Sequence, residues 1–451
     1  MIENHDMLNI KDQENLKLET VLVSPEFISA WNSNDEDVIE YVSKNIEEIE
    51  RYAFLMKPQS EYMVNNRCLN ILQSQNKKFY KKIFQNHKFF DIILEYASSL
   101  DKYSAKSQKN FFDSISYFIM SSGFIFFKRF DFVTFFSSLC DHLNFESPAD
   151  FIKNVLRNLN FRSLSIFKHS TLITMLIDKF TDEYSSEDYS LSILIQGFQN
   201  EYFIKLLIDP LSSSLDSIIN TTLEKRSKEG VIFLTKCFSA SFQLRKISEW
   251  KKIREKIIKS SSQFLDSLKQ VTCIYDDCIC RLLLLIYTQE EVNNASEFFQ
   301  FSHVIIKSFI LCPQNSFLAN YSCRVIRQIS RFETSSVISF IYDVHLVDFL
   351  ILVYSERNQL MTCNWNQIRD IANTISPYIN LEENIEWNKV LTSSHFKNPK
   401  FVHMSHRNSN MKLVTQEGQE TAFDFAWTRN NVVNCICFLI VFFLIIWLFR
   451  L

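Results

Sequence analysis

The sequence predicts an all-α fold: an armadillo/HEAT-like helical-repeat solenoid, followed by a tether and one C-terminal transmembrane helix. Three observations carry that expectation. The 451 residues include 43 Phe but only four Gly (Gly123, Gly197, Gly230 and Gly418) and seven Pro. Strand-rich folds need many tight turns, and tight turns lean on Gly and Pro. Apolar residues recur at three- and four-residue steps along most of the chain, the period of a helix face. Finally, a single core stops growing beyond about 250–300 residues. A longer run of medium helices is therefore expected to stack in pairs, each burying its apolar face on its neighbours.

Taken in order, residues 1–22 form a polar N-terminal segment, MIENHDMLNIKDQENLKLETVL. It mixes acids with bases and lacks an apolar h-region, so no signal peptide is expected. The helical-repeat domain is assigned to residues 23–394. From Asp35 to Leu55, the residues Val38, Ile39, Val42, Ile46, Ile49, Tyr52 and Ala53 share one helix face, with Ser33, Asn34 or Asp35 as N-cap. A second helix is expected over Ser60 to Leu72, and Phe79, Ile83, Phe84, Phe90, Ile93 and Leu94 continue the period. The same pattern marks Asn110 to Met120, Phe130 to Leu143, Pro148 to Leu159, Ser190 to Leu207 and Gly230 to Phe238. It returns over Cys278 to Tyr287, Ser296 to Leu311 and Phe317 to Ile329. Polar clusters are expected to separate these helices, among them Asp209-Pro210-Leu211-Ser212-Ser213-Ser214. No strict sequence repeat is visible.

Residues 395–430 are polar and weakly patterned, with Pro399 and Gly418, and read as a flexible tether. Residues 431–451 read as a membrane anchor. The run from Val432 and Val433 through Phe438, Leu439, Ile440, Val441, Phe442, Phe443, Leu444, Ile445, Ile446, Trp447, Leu448 and Phe449 carries no charge, and its single amide is Asn434. As a helix, its eighteen residues would cover roughly 27 Å at 1.5 Å each, close to the hydrocarbon thickness of a thin bilayer. With only Arg450 and Leu451 after it, the expectation is a tail anchor with the N-terminal domain in the cytosol. The short span and low downstream charge favour the endoplasmic reticulum over the mitochondrial outer membrane. A buried C-terminal core helix is the competing reading, but such helices usually keep a polar stripe, which this run lacks.

Cysteines stand at 68, 140, 237, 273, 278, 280, 312, 323, 363, 435 and 437. The odd count and irregular spacing suit reduced thiols rather than a disulfide framework. Cys435 and Cys437, at the edge of the anchor, are candidates for S-acylation, set against inert membrane-facing thiols. Cys273, Cys278 and Cys280 lack a second ligand pair, so core thiols are expected in preference to a zinc site. His403 and His406 are read as solvated. Asp276 and Asp277 are expected to cap a helix rather than act as an acid/base dyad.

Isolated glycines exclude GxGxxG and GxxxxGK[ST] phosphate loops, and HExxH does not occur. No catalytic residue, cofactor or metal is therefore assigned, and an enzyme is not expected. A net charge of −3 and a pI of about 6.3 give no global pull toward nucleic acid. Two basic stretches remain. Lys77, Lys78, Lys81 and Lys82 interleave with Phe79, Tyr80, Ile83 and Phe84. Lys246 to Lys259 places Ile247, Trp250, Ile253 and Ile257 on one face and Lys251, Lys252, Arg254, Glu255 and Lys256 elsewhere. Both are expected to be solvated outer faces of array helices, the sharper alternative being contact with anionic headgroups or an acidic partner.

Three stretches resemble the SAPS (SIT4-associated protein) family. Pro25 to Leu55 is similar to its opening, an acidic helix, a polar Asn and an apolar close, here Asp35-Glu36-Asp37, Asn45 and Phe54-Leu55. Asp150 to Leu164 is similar to a family segment where one helix ends and the next begins. Ile368 to Ile375, IRDIANTI, resembles a late family motif, with Trp365 where the family usually carries Gly-His. The resemblance implies a helical-repeat regulatory subunit whose partner is a PP6-type (Sit4-like, PP2A-like) serine/threonine phosphatase catalytic subunit. The short tether and anchor stand where that family has a long acidic, Ser-rich region. Two functions are thus expected: a membrane-tethered phosphatase scaffold, or a generic tail-anchored helical-repeat adaptor in organelle trafficking or tethering.

Overall fold

A computed structural model of the chain describes residues 17–392, except 58–61, 75, 123–125, 127–128, 159–170, 183–188, 245, 290–294, 356–363 and 381–383. Among the described residues the regular structure is helical, without strands. The helices are α1 (Leu18–Val23), α2 (Pro25–Asn32), α3 (Glu36–Lys44), α4 (Ile46–Ala53), α5 (Tyr62–Leu72), α6 (Lys77–Ile83), α7 (His87–Ala97) and α8 (Ala105–Ser122). They continue as α9 (Phe132–Cys140), α10 (Glu146–Arg157), α11 (Leu172–Thr181), α12 (Tyr189–Gly197), α13 (Glu201–Leu206), α14 (Ile208–Glu224), α15 (Lys228–Gln243) and α16 (Ser248–Lys259). The last are α17 (Ser261–Ser267), α18 (Ile274–Gln289), α19 (Ala295–Leu311), α20 (Ser316–Ile329), α21 (Thr334–Asp343), α22 (Leu346–Ser355), α23 (Trp365–Ile375) and α24 (Ile385–Thr392).

Local chemistry explains the boundaries. The Asp35 carboxylate accepts from the backbone N–H of Asp37 at 2.9 Å and of Val38 at 3.1 Å, which satisfies donors the helix itself cannot use. The single helix expected from Asp35 to Leu55 is in fact two, because Asn45 turns out of helical geometry (φ −98°, ψ 18°) and its side chain donates to the Tyr41 carbonyl. The Ser190 to Leu207 segment likewise breaks, between Gly197 and Glu201, where the Asn200 side chain caps Tyr202 N–H.

The polar cluster at Asp209 to Ser214 does not separate helices. α14 runs through it, with Pro210 as its third residue, where the missing N–H has no intrahelical partner to lose. Ser212 and Ser213 donate back to the carbonyls of Ile208 and Pro210, so these serines decorate a helix rather than end one. Pro148 occupies the same third position in α10.

Contacts divide the chain into two units. The first comprises residues up to Phe349 together with Leu360–Tyr378; the second comprises Leu350–Gln359 and the residues from Ile379 onward. In the first unit the helices pack in two rows, a solenoid-like arrangement. One row places α4 on α7, α7 on α9, α9 on α11, α11 on α14 and α14 on α16. The other runs α5, α8, α10, α12, α15, α18, α20 and α23, each against the next.

Polar contacts between neighbouring layers repeat with nearly constant sequence spacing. Lys78 and Lys82 reach Glu36 and Glu40, each 42 residues away. Lys179 reaches Asp141 across 38 residues, Lys256 reaches Asp216 across 40, and Arg327 reaches Asp370 across 43. A period of about 40 is that of HEAT and armadillo repeats, and contacts confined to adjacent layers are the mark of a quasi-one-dimensional fold.

Phenylalanine fills the early layers. Phe84 lies 5.5 Å from Phe89 and 5.3 Å from Phe126 between ring centroids, and Phe89 lies 5.4 Å from Phe118. All four are buried, and the Phe89–Phe118 pair is edge-to-face, an arrangement that adds about 0.5–1.5 kcal/mol beyond area burial. Gly230 permits the close approach of α15 to α14, since a Cβ there would meet the Thr222 side chain. In the second unit, Trp387 and Val390 are the buried residues of α24.

Among the described residues no single helix is long and apolar enough to cross a membrane; α21 and α22 meet that composition only as a pair, bent by 55°. The expected anchor, including every residue assigned to it, lies outside the described residues. So do Cys435, Cys437, His403, His406 and the tether.

Candidate interaction surface

The outward side of the second row carries a hydrogen-bonded ladder across α18, α20 and α23. Asp277 and Arg281 stand one turn apart on α18, so both face α20. The Asp277 carboxylate accepts from Tyr321 Oη at 2.8 Å and from Arg281 Nε at 3.1 Å, and Arg281 Nε also donates to Tyr321 Oη at 2.9 Å. One layer on, Gln367 Nε2 donates to Asn320 Oδ1 at 3.1 Å, and Arg327 Nη2 to Asp370 Oδ2 at 2.7 Å. Cys323 Sγ donates to the Gln367 carbonyl at 3.4 Å.

Burial, and then the neighbouring Asp277 charge, push the Tyr321 hydroxyl well above its ordinary pKa, so it keeps its proton and acts as donor. The Arg281 and Arg327 side chains are 52% and 54% exposed. Each guanidinium has five N–H donors in a fixed fork, and the ladder orients it while leaving its edge toward solvent. Such a surface can pair carboxylates or carbonyls of a partner with little side-chain ordering left to do.

The two basic stretches resolve differently. In α6 the apolar residues Phe79, Tyr80 and Ile83 are buried, as is the adjoining Phe84. Lys78 and Lys82 are bound to Glu36 and Glu40 of α3 at 2.8 and 3.4 Å, which neutralises half of that patch. In α16, Trp250, Ile253 and Ile257 are buried as the periodicity predicts. Lys256 reaches Asp216 at 2.8 Å, and the Arg254 guanidinium lies over the Phe242 ring. These are the outer faces of array helices, stitched to the preceding layer.

Asp276 caps its helix from within. As the third residue of α18, its carboxylate accepts from the backbone N–H groups of Thr272 and Cys273 at 2.9 and 3.1 Å and from Thr272 Oγ1 at 2.9 Å. That is one half of a capping box. Asp277 joins the ladder instead. Cys278 and Cys280 are buried thiols, whereas Cys273 is exposed at the helix start. Burial pushes the Cys278 thiol up to about 11, and those of Cys68 and Cys140 up to about 12, so all three are protonated at neutral pH. No group of three or more potential metal ligands occurs among the described residues.

The ladder is not visible in the sequence pattern. Its only sequence signal is complementary side chains about 43 residues apart, and because no residue type recurs at that spacing, no repeat announces it.

No family model matches the chain, and no curated protein matches it. Among solved structures, the crystal structure of an engineered protein from the Northeast Structural Genomics Consortium is 13% identical, covering 84% of this chain and 95% of its own, with a TM-score of 0.40. A likeness that distant carries no functional argument.

Proposed function

We propose that this chain is a non-catalytic scaffold that binds a protein partner along the outward side of its second row of helices and holds that partner at a membrane. The observation that carries this reading is the ladder itself. Half-exposed Arg281 and Arg327 are held in place by Asp277, Tyr321 and Asp370, an arrangement suited to binding. Helical-repeat arrays characteristically work through such extended faces.

In its sharper form the partner is a PP6-type serine/threonine phosphatase catalytic subunit, the partner that the resemblance of Pro25 to Leu55 and Ile368 to Ile375 implies. The apolar run from Val432 to Phe449 then supplies the address, the endoplasmic reticulum membrane. Affinity purification of the full chain from its native cells tests the partner. Recovery of a PP2A-like catalytic subunit is expected; its consistent absence from the recovered proteins overturns the phosphatase and leaves a trafficking or tethering adaptor. A fluorescent fusion at the N-terminus, with and without residues 430–451, tests the address. Diffuse signal from the full-length fusion overturns it.

A further inference from the structure

Two adjoining helices of the first row carry opposite charge. α14 bears Asp209, Asp216 and Glu224 and no cation, a charge of −3, whereas α16 bears five cations against Glu249 and Glu255, a charge of +3. Their apolar residues are turned inward: Leu211, Leu215 and Ile218 of α14 are buried, as are Trp250, Ile253 and Ile257 of α16. Lys256 reaches Asp216 at 2.8 Å and fixes the two helices side by side. The short connections 225–227 and 244–247 reverse the chain on either side of α15, so α14 and α16 run the same way.

Charge of both signs is left on this surface. Asp209, Glu224, Lys252 and Lys259 are exposed, and no ion pair engages them among the described residues. On α16, Glu249 accepts from its own backbone N–H and from Ser248, and Glu255 lies 3.8 Å from Lys251. Lys225, the cation that follows α14, is turned into the array, where its Nζ donates to the carbonyls of Phe180 and Asp182 at 3.0 and 2.7 Å. Exposed Ser212, Ser213 and Ser217 stand between the acids of α14, and such short side chains let another helix approach closely. The opposed charges also share a spacing. Asp209 and Asp216 stand seven positions apart, as do Lys252 and Lys259. In either helix that is about 10.5 Å at 1.5 Å per residue.

We infer that α14 and α16 form a self-complementary surface on which a second copy of this chain docks, related by a twofold axis parallel to the two helices. That axis lays α14 of one copy over α16 of the other and repeats the pairing in reverse, as an isologous interface requires. An axis across the helices would set acid on acid. A partner of uniform charge would match one helix and be repelled by the other, whereas a second copy matches both. The helices are about 18 and 26 Å long and lie about 10 Å apart. They therefore cover roughly 400 Å² per copy, half of a standard interface. The dimer is a weak one, held by charge and sensitive to salt.

Sedimentation equilibrium of the full chain in mild detergent tests it. Dimer is expected at about 50 mM salt, with association about tenfold weaker at about 500 mM. Asp209→Lys with Glu224→Lys leaves both helices net positive, and Lys252→Glu with Lys259→Glu leaves both net negative. Each double variant alone should lose the dimer, and an equimolar mixture of the two should regain it, since α14 of either variant then meets opposite charge on α16 of the other. Circular dichroism checks that the variants stay helical. Should a reversed variant fail to fold, Lys252→Gln with Lys259→Gln, which reverses nothing, decides: a weakened dimer supports the inference and an unchanged one overturns it. A chain that stays monomeric at low salt overturns it, as does a mixture of folded variants that fails to pair. Association that neither salt nor charge reversal alters belongs to another segment of the chain and equally overturns it.

Discussion

Arg226 Nη2 lies 2.9 Å from the buried carboxylate of Asp276 across 50 residues of sequence, so one contact ties the entry of α15 to the entry of α18. Arg226 adopts a left-handed backbone (φ 50°) to reach it, and its guanidinium also covers the Tyr275 ring at 5.0 Å. Burial alone would raise the Asp276 carboxyl, but the hydrogen bonds from Thr272 and Cys273 outweigh it and hold it below its ordinary value.

Asp276→Ala is therefore expected to destabilise the array by about 1–2 kcal/mol, through the lost cap on three donors at the start of α18. The contribution is complete above the unfolded pKa, near 3.9, and is lost as pH falls through the lower folded value. Denaturant melts of both proteins at pH 7 and at acid pH should show the gap closing on acidification; a gap independent of pH contradicts this assignment.

Glu50 behaves in the opposite sense. It is fully buried on α4, and neither carboxylate oxygen has a hydrogen-bond partner. Burial raises its pKa well above the usual carboxylate range. The folded state thus favours the protonated form, and stability present below the unfolded pKa declines as pH rises toward the folded one, by about 1.4 kcal/mol per pH unit. Glu50→Met should raise the melting temperature, with a margin over wild type that widens from pH 5 to pH 8. A variant no more stable at pH 8 refutes this.

Gly230→Ala should cost about 1–3 kcal/mol, because the new methyl collides with Thr222. Thr222→Ala in the same chain removes two of the colliding atoms and should recover part of the loss. Thermal melts of the two single variants and the double variant measure that coupling, and strict additivity would show that the two side chains do not compete for the same space.

Among the described cysteines, Cys273 and Cys312 are exposed, whereas Cys68, Cys140, Cys237, Cys278, Cys280 and Cys323 are buried. Alkylation of the native protein followed by mass spectrometry should label the exposed pair faster by about two orders of magnitude than fully buried Cys237, whose raised pKa and burial both withhold the thiolate. Comparable rates would contradict the packing of α15.

Much of the fold was legible because helix faces write their period directly into the sequence. The spacing places Trp250, Ile253 and Ile257 on one face, and they are buried together. Where the structure departs from the sequence pattern, the causes are physical. Asn45 interrupts an unbroken apolar period through its own hydrogen bond to Tyr41, and Pro210 with its three serines resembles a breaker but sits where a first turn tolerates it. The ladder was not legible, since Asp277 and Tyr321 become neighbours only through the stacking of α18 on α20.

The central claim, that this chain works by binding through the second-row ladder, is tested most directly by Arg281→Glu with Arg327→Glu in the full chain. Both side chains are half exposed, so the variant is expected to keep its helix content and to lose the partner that affinity purification of the wild-type chain recovers. An unchanged set of partners from a folded double variant would contradict the account.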